Sequence, residues 1–229
     1  AIPYLLIGIG DSPLDAIFES VSGFTTTGAS VLSDVESLPH GILFYRSFTQ
    51  WLGGMGIVVL SIAILPKLSV GGMQLMSLET PGPKTEKLTP HIANTAKHLW
   101  YVYASISIAE AILLFICGMP LFESITTTFS TVSTGGFSVR NASIGAYGSP
   151  LIESVVMVFM VLGGMNFLLI YYMFLRKFSR PAHNTELKYY LVILLFFILF
   201  ITLDLRDGYY ASFTESLWSA SFRVLCIFT

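Results

Sequence analysis

Two short polar segments interrupt an otherwise oily chain, and both carry groups that could strip and hold a cation. Residues 24–30 read Phe-Thr-Thr-Thr-Gly-Ala-Ser, and residues 131–137 read Thr-Val-Ser-Thr-Gly-Gly-Phe. A cation leaving water needs oxygen ligands in place of its hydration shell, and rings of backbone carbonyls supply them in selective pores. Backbone aimed that way needs unusual dihedrals, which glycine tolerates best. Threonine and serine hydroxyls add oxygens or brace the loop. The candidate ligands are Thr26, Thr27 and Gly28 in the first segment and Ser133, Thr134 and Gly135 in the second. Thr25, Ala29, Val132, Gly136 and Thr229 flank such positions. No nucleophile–base pair, metal-ligand spacing or Gly-Lys-Thr phosphate loop is present, so the chemistry is not that of an enzyme.

Polar, glycine-bearing backbone between membrane spans is costly unless it lines a watery path. The chain is 54% hydrophobic and 11% charged, against roughly a quarter charged in soluble domains. It therefore reads as an all-α, polytopic integral membrane protein in contact with lipid. A net charge of -2 gives no reason to expect a nucleic-acid partner. Cys117 and Cys226 lie in apolar surroundings and read as packing residues. Four apolar stretches are long enough to span, at residues 40–65, 99–117, 151–175 and 189–203, with a partial one at 1–10.

Between them lie three segments too short to cross, at 13–23, 121–130 and 213–228. A helix of ~11 residues rises about 16 Å, half the hydrocarbon thickness. Each has a helix-start signal: Ser12-Pro13-Leu14-Asp15, Pro120 with Glu123, and Ser212-Phe213-Thr214-Glu215. They read as re-entrant pore helices. A helix entering from the outer face turns its carbonyl end to the pore, which favours a cation.

The unit span, half-helix, polar loop, span is written more than once. Gly28 and Gly135 are 107 residues apart, Gly53 and Gly163 110, and Pro39 and Pro150 111. Repeat one covers 1–75, a connector 76–98, repeat two 99–178, a second connector 179–188, and the first part of repeat three 189–229. Phe228-Thr229 aligns with Phe24-Thr25, so the chain is expected to be a piece of a larger protein. Eight of the 12 basic residues fall in the two connectors or at their edges: Lys67, Lys84, Lys87, Lys97, Arg176, Lys177, Arg180 and Lys188. The positive-inside rule makes those connectors cytoplasmic and the loops outward-facing.

The segments Gly-Phe-Thr-Thr-Thr-Gly-Ala-Ser (23–30) and Phe-Ser-Thr-Val-Ser-Thr-Gly-Gly-Phe-Ser (129–138) resemble the first two filter loops of the Trk/Ktr/HKT superfamily of potassium transporters. Trp51-Leu52-Gly53-Gly54-Met55-Gly56, Val70-Gly71-Gly72-Met73-Gln74-Leu75 and Glu79-Thr80-Pro81-Gly82-Pro83 are similar to the bacterial TrkH branch. The resemblance implies four such repeats around one pore, a homodimer with a pore in each chain, and a bacterial inner-membrane location. It implies K+ as the transported ion, with no covalent cofactor, and a cytoplasmic nucleotide-binding regulatory partner of the TrkA kind. Glycine at the filter position implies potassium selectivity, where serine in some relatives accompanies sodium. A sodium-permeable relative and a non-conducting membrane subunit remain the alternatives.

Several residues stand outside the loops. Gly53-Gly54 and Gly163-Gly164 allow close packing or a hinge, and Asn166 stands where repeat one has Gly56. Glu110 lies within a span. Arg46 and Gln50 sit at the outer end of theirs, able to snorkel or brace a loop. Asn141-Ala142-Ser143 has the letters of a glycosylation sequon, but a bend is the simpler reading.

Overall fold

The structure is a computed structural model that describes residues 1–8, 12–56, 88–208 and 212–229. The later part of the span read at 40–65 and most of the first connector lie outside the described residues. The described chain is helical throughout. Its elements are α1 (Ile2–Ile7), α2 (Pro13–Phe24), α3 (residues 40–56), α4 (Leu88–Ile116), α5 (Leu121–Val132), a 3₁₀ turn (Ser143–Tyr147), α6 (Pro150–Gly163), α7 (Phe167–Phe174), α8 (Ser179–Ala182), α9 (Thr185–Gly208) and α10 (Phe213–Phe228). Residues 88–98, read as connector, form the first turns of α4.

The three half-helices are α2, α5 and α10, of 12, 12 and 16 residues. Their starts are built less uniformly than their sequences suggest. At α2 the Asp15 carboxylate accepts from the Ser12 backbone N–H at 2.9 Å, as a capping residue should. At α5 Pro120 holds the cap position, and Glu123 is drawn away to Arg140 at 2.7 Å. At α10 the box stays open, because the Ser212 and Thr214 hydroxyls bond each other at 2.7 Å.

Within α4 and α9, the stretches Ala96–Ile116 and Thr185–Arg206 are long and apolar enough to cross a bilayer. The stretch read as one span at 151–175 is not straight: α6 ends at Gly163 and α7 leaves it at 106°. Asn166 explains the restart. Its side chain accepts from the Leu168 N–H at 3.0 Å, making it the N-cap of a new helix.

Successive repeats are joined by the same contact twice. The Tyr103 hydroxyl on α4 donates to the Trp51 carbonyl on α3 at 3.0 Å, and the Tyr190 hydroxyl on α9 donates to the Val161 carbonyl on α6 at 3.4 Å. The glycine three residues beyond each of those carbonyls, Gly54 or Gly164, leaves room for the ring. A Cβ on Gly54 would stand 2.8 Å from the Tyr103 hydroxyl, and one on Gly164 2.7 Å from that of Tyr190. Val102, Tyr103, Ile106, Val132, Phe159 and Ile170 then bury one core between α4, α5, α6 and α7. Glu110 is fully buried on α4, and neither of its oxygens has a hydrogen-bond partner within bonding geometry among the described residues.

Candidate functional site

The two polar loops are helix endings of one design. After α2, the Thr26 N–H donates to Gly23 O at 3.1 Å and the Thr27 N–H to Ser22 O at 3.0 Å. After α5, the Thr134 N–H donates to Thr131 O at 3.0 Å and the Gly135 N–H to Ser130 O at 2.8 Å. This is the Schellman pattern, whose left-handed residue is usually glycine. Here it is threonine, with φ 56° at Thr26 and 55° at Thr134. A β-branched residue in that region costs about 1–2 kcal/mol, and such strain gathers at functional sites.

Two contacts hold each threonine there. Its hydroxyl donates to the preceding carbonyl, Thr26 to Thr25 and Thr134 to Ser133, both at 2.7 Å. Its methyl faces a glycine of the following span. A Cβ on Gly53 would stand 3.2 Å from Thr26 Cγ2, and one on Gly163 3.3 Å from Thr134 Cγ2. The glycine pairs thus admit the half-helix ends and the next repeat's tyrosine. The packing expected of them is observed, with partners that spacing alone did not name.

The dihedrals correct one pairing. Thr25 and Ser133 close the helices with φ -87° and -80°. Positive φ follows at Thr26 and Gly28 in the first loop and at Thr134 and Gly136 in the second. Thr27 and Gly135 between them are not in the left-handed region. Gly28 therefore corresponds to Gly136, not to Gly135; the same offset pairs Ser22, Thr26 and Ser30 with Ser130, Thr134 and Ser138. Alternating signs turn successive peptide planes the same way, where an extended strand would turn them alternately. Thr229 caps α10 as Thr25 and Ser133 cap α2 and α5.

The loops meet at an open cavity of about 390 Å³. Thr26, Thr27, Gly28, Thr134, Gly135, Gly136 and Thr229 line it, joined by Thr127, Ser130 and Thr131 from α5. Thr25, Ala29, Val132 and Ser133 are not on its wall. Ser133 is instead buried, its hydroxyl donating to Phe129 O at 2.6 Å. Among the described residues no group of histidine, cysteine or carboxylate side chains could hold a metal ion, so any ligands here are backbone and hydroxyl oxygens.

Behind the first loop lies a buried ion pair. Glu19 and Arg46 are 0% and 2% exposed, and the Arg46 Nη2 and Nε donate to Glu19 Oε1 at 2.6 and 2.9 Å. The same carboxylate accepts from the Ser30 hydroxyl at 2.9 Å and the Val31 N–H at 3.3 Å, fastening the loop's exit. Arg46 also reaches the second loop, donating from Nη1 to Ser138 O at 3.3 Å and covering the Phe137 ring at 4.2 Å. Of the two roles open to Arg46 on sequence alone, the structure has the brace. Its acidic partner, Glu19, carries no sequence signal beyond being a charge in a half-helix.

On the far side of the loops, Asn141 is committed to hydrogen bonds. Its amide donates to Asp34 Oδ1 at 2.8 Å, and its carbonyl oxygen accepts from the Val35 N–H at 2.8 Å. The bend is observed, and the amide nitrogen a glycan would need is occupied. That amide holds the Asp34 carboxyl below the ordinary 3.8. A group whose folded-state pKa is lowered contributes stability above the ordinary carboxylate range and loses it as pH falls through the lowered value. Titration of Asp34 by NMR is expected to give a midpoint below 3.8, and Asn141→Ala to raise it.

The comparisons with known proteins agree with this geometry. Residues 7–205 match the family model of TrkH, described as a cation transport protein. The chain is 49% identical over 172 residues to the Trk system potassium uptake protein TrkH of Salmonella typhimurium, covering 73% of this chain and 35% of that protein. It is 43% identical over 239 residues to the TrkH of Vibrio parahaemolyticus, covering 100% of this chain and 48% of that protein. The crystal structure of the potassium transporter TrkH from Vibrio parahaemolyticus superposes with a TM-score of 0.82 at 39% identity, over 94% of this chain and 44% of that one. The chain spans half or less of the length of these relatives. With all-helical architecture, repeated half-helix loops and these matches in agreement, the chain belongs to the TrkH family of cation transport proteins, which are integral membrane transporters and not enzymes.

Proposed function

We propose that the two loops are two quarters of the selectivity filter of a potassium uptake pore. One observation carries the reading. Two half-helices end in the same strained backbone, with the same alternation of φ, on one shared cavity. Carbonyls turned to one side of such a loop replace a hydration shell without any charged ligand. The relatives are potassium uptake proteins by name, which supports K+ as the cargo.

The ligands in this reading are the oxygens of Thr26, Thr27 and Gly28 in the first loop and of Thr134 and Gly136 in the second; Ser133 is buried off the cavity wall and the Gly135 carbonyl is spent on Gln50, so neither is proposed as a ligand. Residues 1–75, 99–178 and 189–229 are repeats one, two and the front of three, and 76–98 and 179–188 are connectors. The basic connectors face the cytoplasm at the bacterial inner membrane, so the loops open outward. A homodimer and a cytoplasmic nucleotide-binding regulator of the TrkA kind complete the assembly, with the connectors as its docking surface.

The test is rubidium uptake into liposomes by the full-length protein, with K+ and Na+ as competitors. Strong competition by K+ and weak competition by Na+ is expected. Equal competition overturns the selectivity. No uptake, even with the regulator present, overturns conduction and favours a non-conducting subunit.

A further inference from the structure

Gln50 is fully buried on α3, a span of repeat one, yet both its polar groups are spent on the loop of repeat two. Its Nε2 donates to the Gly135 carbonyl at 2.8 Å, and its Oε1 accepts from the Phe137 N–H at 3.1 Å. A carboxamide is the uncharged side chain that can give and take at once, so it fits a gap between one backbone acceptor and one backbone donor. The fit is tight, since a Cβ on Gly135 would overlap the Gln50 carboxamide. The Gly135 oxygen also presses on the other loop, because a Cβ on Gly28 would overlap it. One carbonyl oxygen is thus wedged between Gly28 of loop one and the amide of Gln50.

We propose that Gln50 is a specificity-positioning residue: by gripping loop two from the span of repeat one, it sets how far apart the two loops stand across the ion path. The proposal rests on the filter reading above and adds the residue that fixes its bore. A carbonyl ring discriminates between cations through the distance and number of its oxygens, so the residue that fixes their lateral spacing tunes discrimination without touching the ion. The grip is particular to this pair of loops. At the offset of Gly53 and Gly163, Gln50 corresponds to Met160, which lines the same cavity beside Thr229 and offers no such pair of bonds.

The test is Gln50→Met in the full-length protein, which keeps side-chain volume and removes both bonds, as in repeat two. Gln50→Glu is measured beside it, keeping the acceptor for Phe137 and losing the donor to Gly135. The readouts are Na+ and K+ competition against rubidium uptake and the division of the effect between KM and Vmax. The wild-type protein must first prefer K+ over Na+. If it does not, the filter reading fails, whatever Gln50 does.

Given that preference, Gln50→Glu is expected to lose about tenfold in K+-over-Na+ discrimination, the worth of roughly one buried hydrogen bond to a backbone group, and Gln50→Met, without both bonds, at least as much. The loss is expected to appear as a raised KM for K+. A variant with the wild-type competition ratio overturns the proposal. So does one in which uptake of both ions falls together with the ratio unchanged, the sign of a packing role. Should Gln50→Met fail to reach the membrane, the same ratio in Gln50→Glu decides.

Discussion

In the full-length protein, Gly28→Ala is expected to lower rubidium uptake about a hundredfold, and Gly136→Ala only about tenfold. Both glycines carry positive φ, 75° and 80°, so both substitutions meet the left-handed penalty of about 1–2 kcal/mol. They differ in what the new methyl touches. At Gly136 nothing lies within 4 Å, and at Gly28 the methyl overlaps the Gly135 carbonyl oxygen. Backbone cannot swing aside as a flexible side chain does, and over-packing of this kind costs about 1–3 kcal/mol more. The sum at Gly28 is about 3 kcal/mol, or roughly two decades in rate. Uptake assays on the two variants side by side, normalised to protein in the membrane, check this. Equal losses would mean that the contact between the loops is not what constrains Gly28.

The second large effect concerns the buried ion pair. Arg46→Met leaves the Glu19 carboxylate buried with only a hydroxyl and one backbone N–H for company. Breaking a buried pair from one side costs about 3–5 kcal/mol. Repeat two shows a way to do without the pair. At the offset of Thr26 and Thr134, Glu19 corresponds to Thr127, and at that of Gly53 and Gly163, Arg46 corresponds to the fully buried Val156. The double variant Glu19→Thr/Arg46→Val is therefore expected to be more stable than Arg46→Met alone, because no charge remains buried. Thermal unfolding of the detergent-solubilised full-length variants measures both. A double variant no better than the single would show that the charges hold the loops by contacts worth more than their desolvation.

Periodicity and start signals were enough to locate the half-helices. The segments read at 13–23 and 121–130 differ from α2 and α5 only at their C-terminal ends, where the Schellman turn extends the helix, and 213–228 coincides with α10. Helix termination depends on local hydrogen bonds, so it shows in sequence when glycine marks it and stays hidden when threonine takes the left-handed place. The register between loops is legible from Ser22, Thr26 and Ser30, which match Ser130, Thr134 and Ser138 at one offset, but the Thr-Gly pair taken alone points to Gly135. The break after Gly163 was hidden for another reason. Apolar composition continues across it, and Asn166 reveals a cap only once its side chain is seen on the Leu168 N–H. The partners of Gln50 and Arg46 were beyond reach, because Gly135 and Ser138 are brought to them by the packing of one repeat on the next.

The wedged oxygen of Gly135 bears on how this pore can change over generations. Gly28, Gln50 and Gly135 are far apart in the chain but share one small volume, so substitutions at the three are expected to be coupled. A change at one is tolerated only against a matching change at another, since residues that share a contact do not act additively. Gly136 borders open space and is bound by its own dihedral alone. The two loops repeat one backbone, yet the first glycine answers to a neighbour's oxygen as well as to its own dihedral, and the second to its dihedral alone.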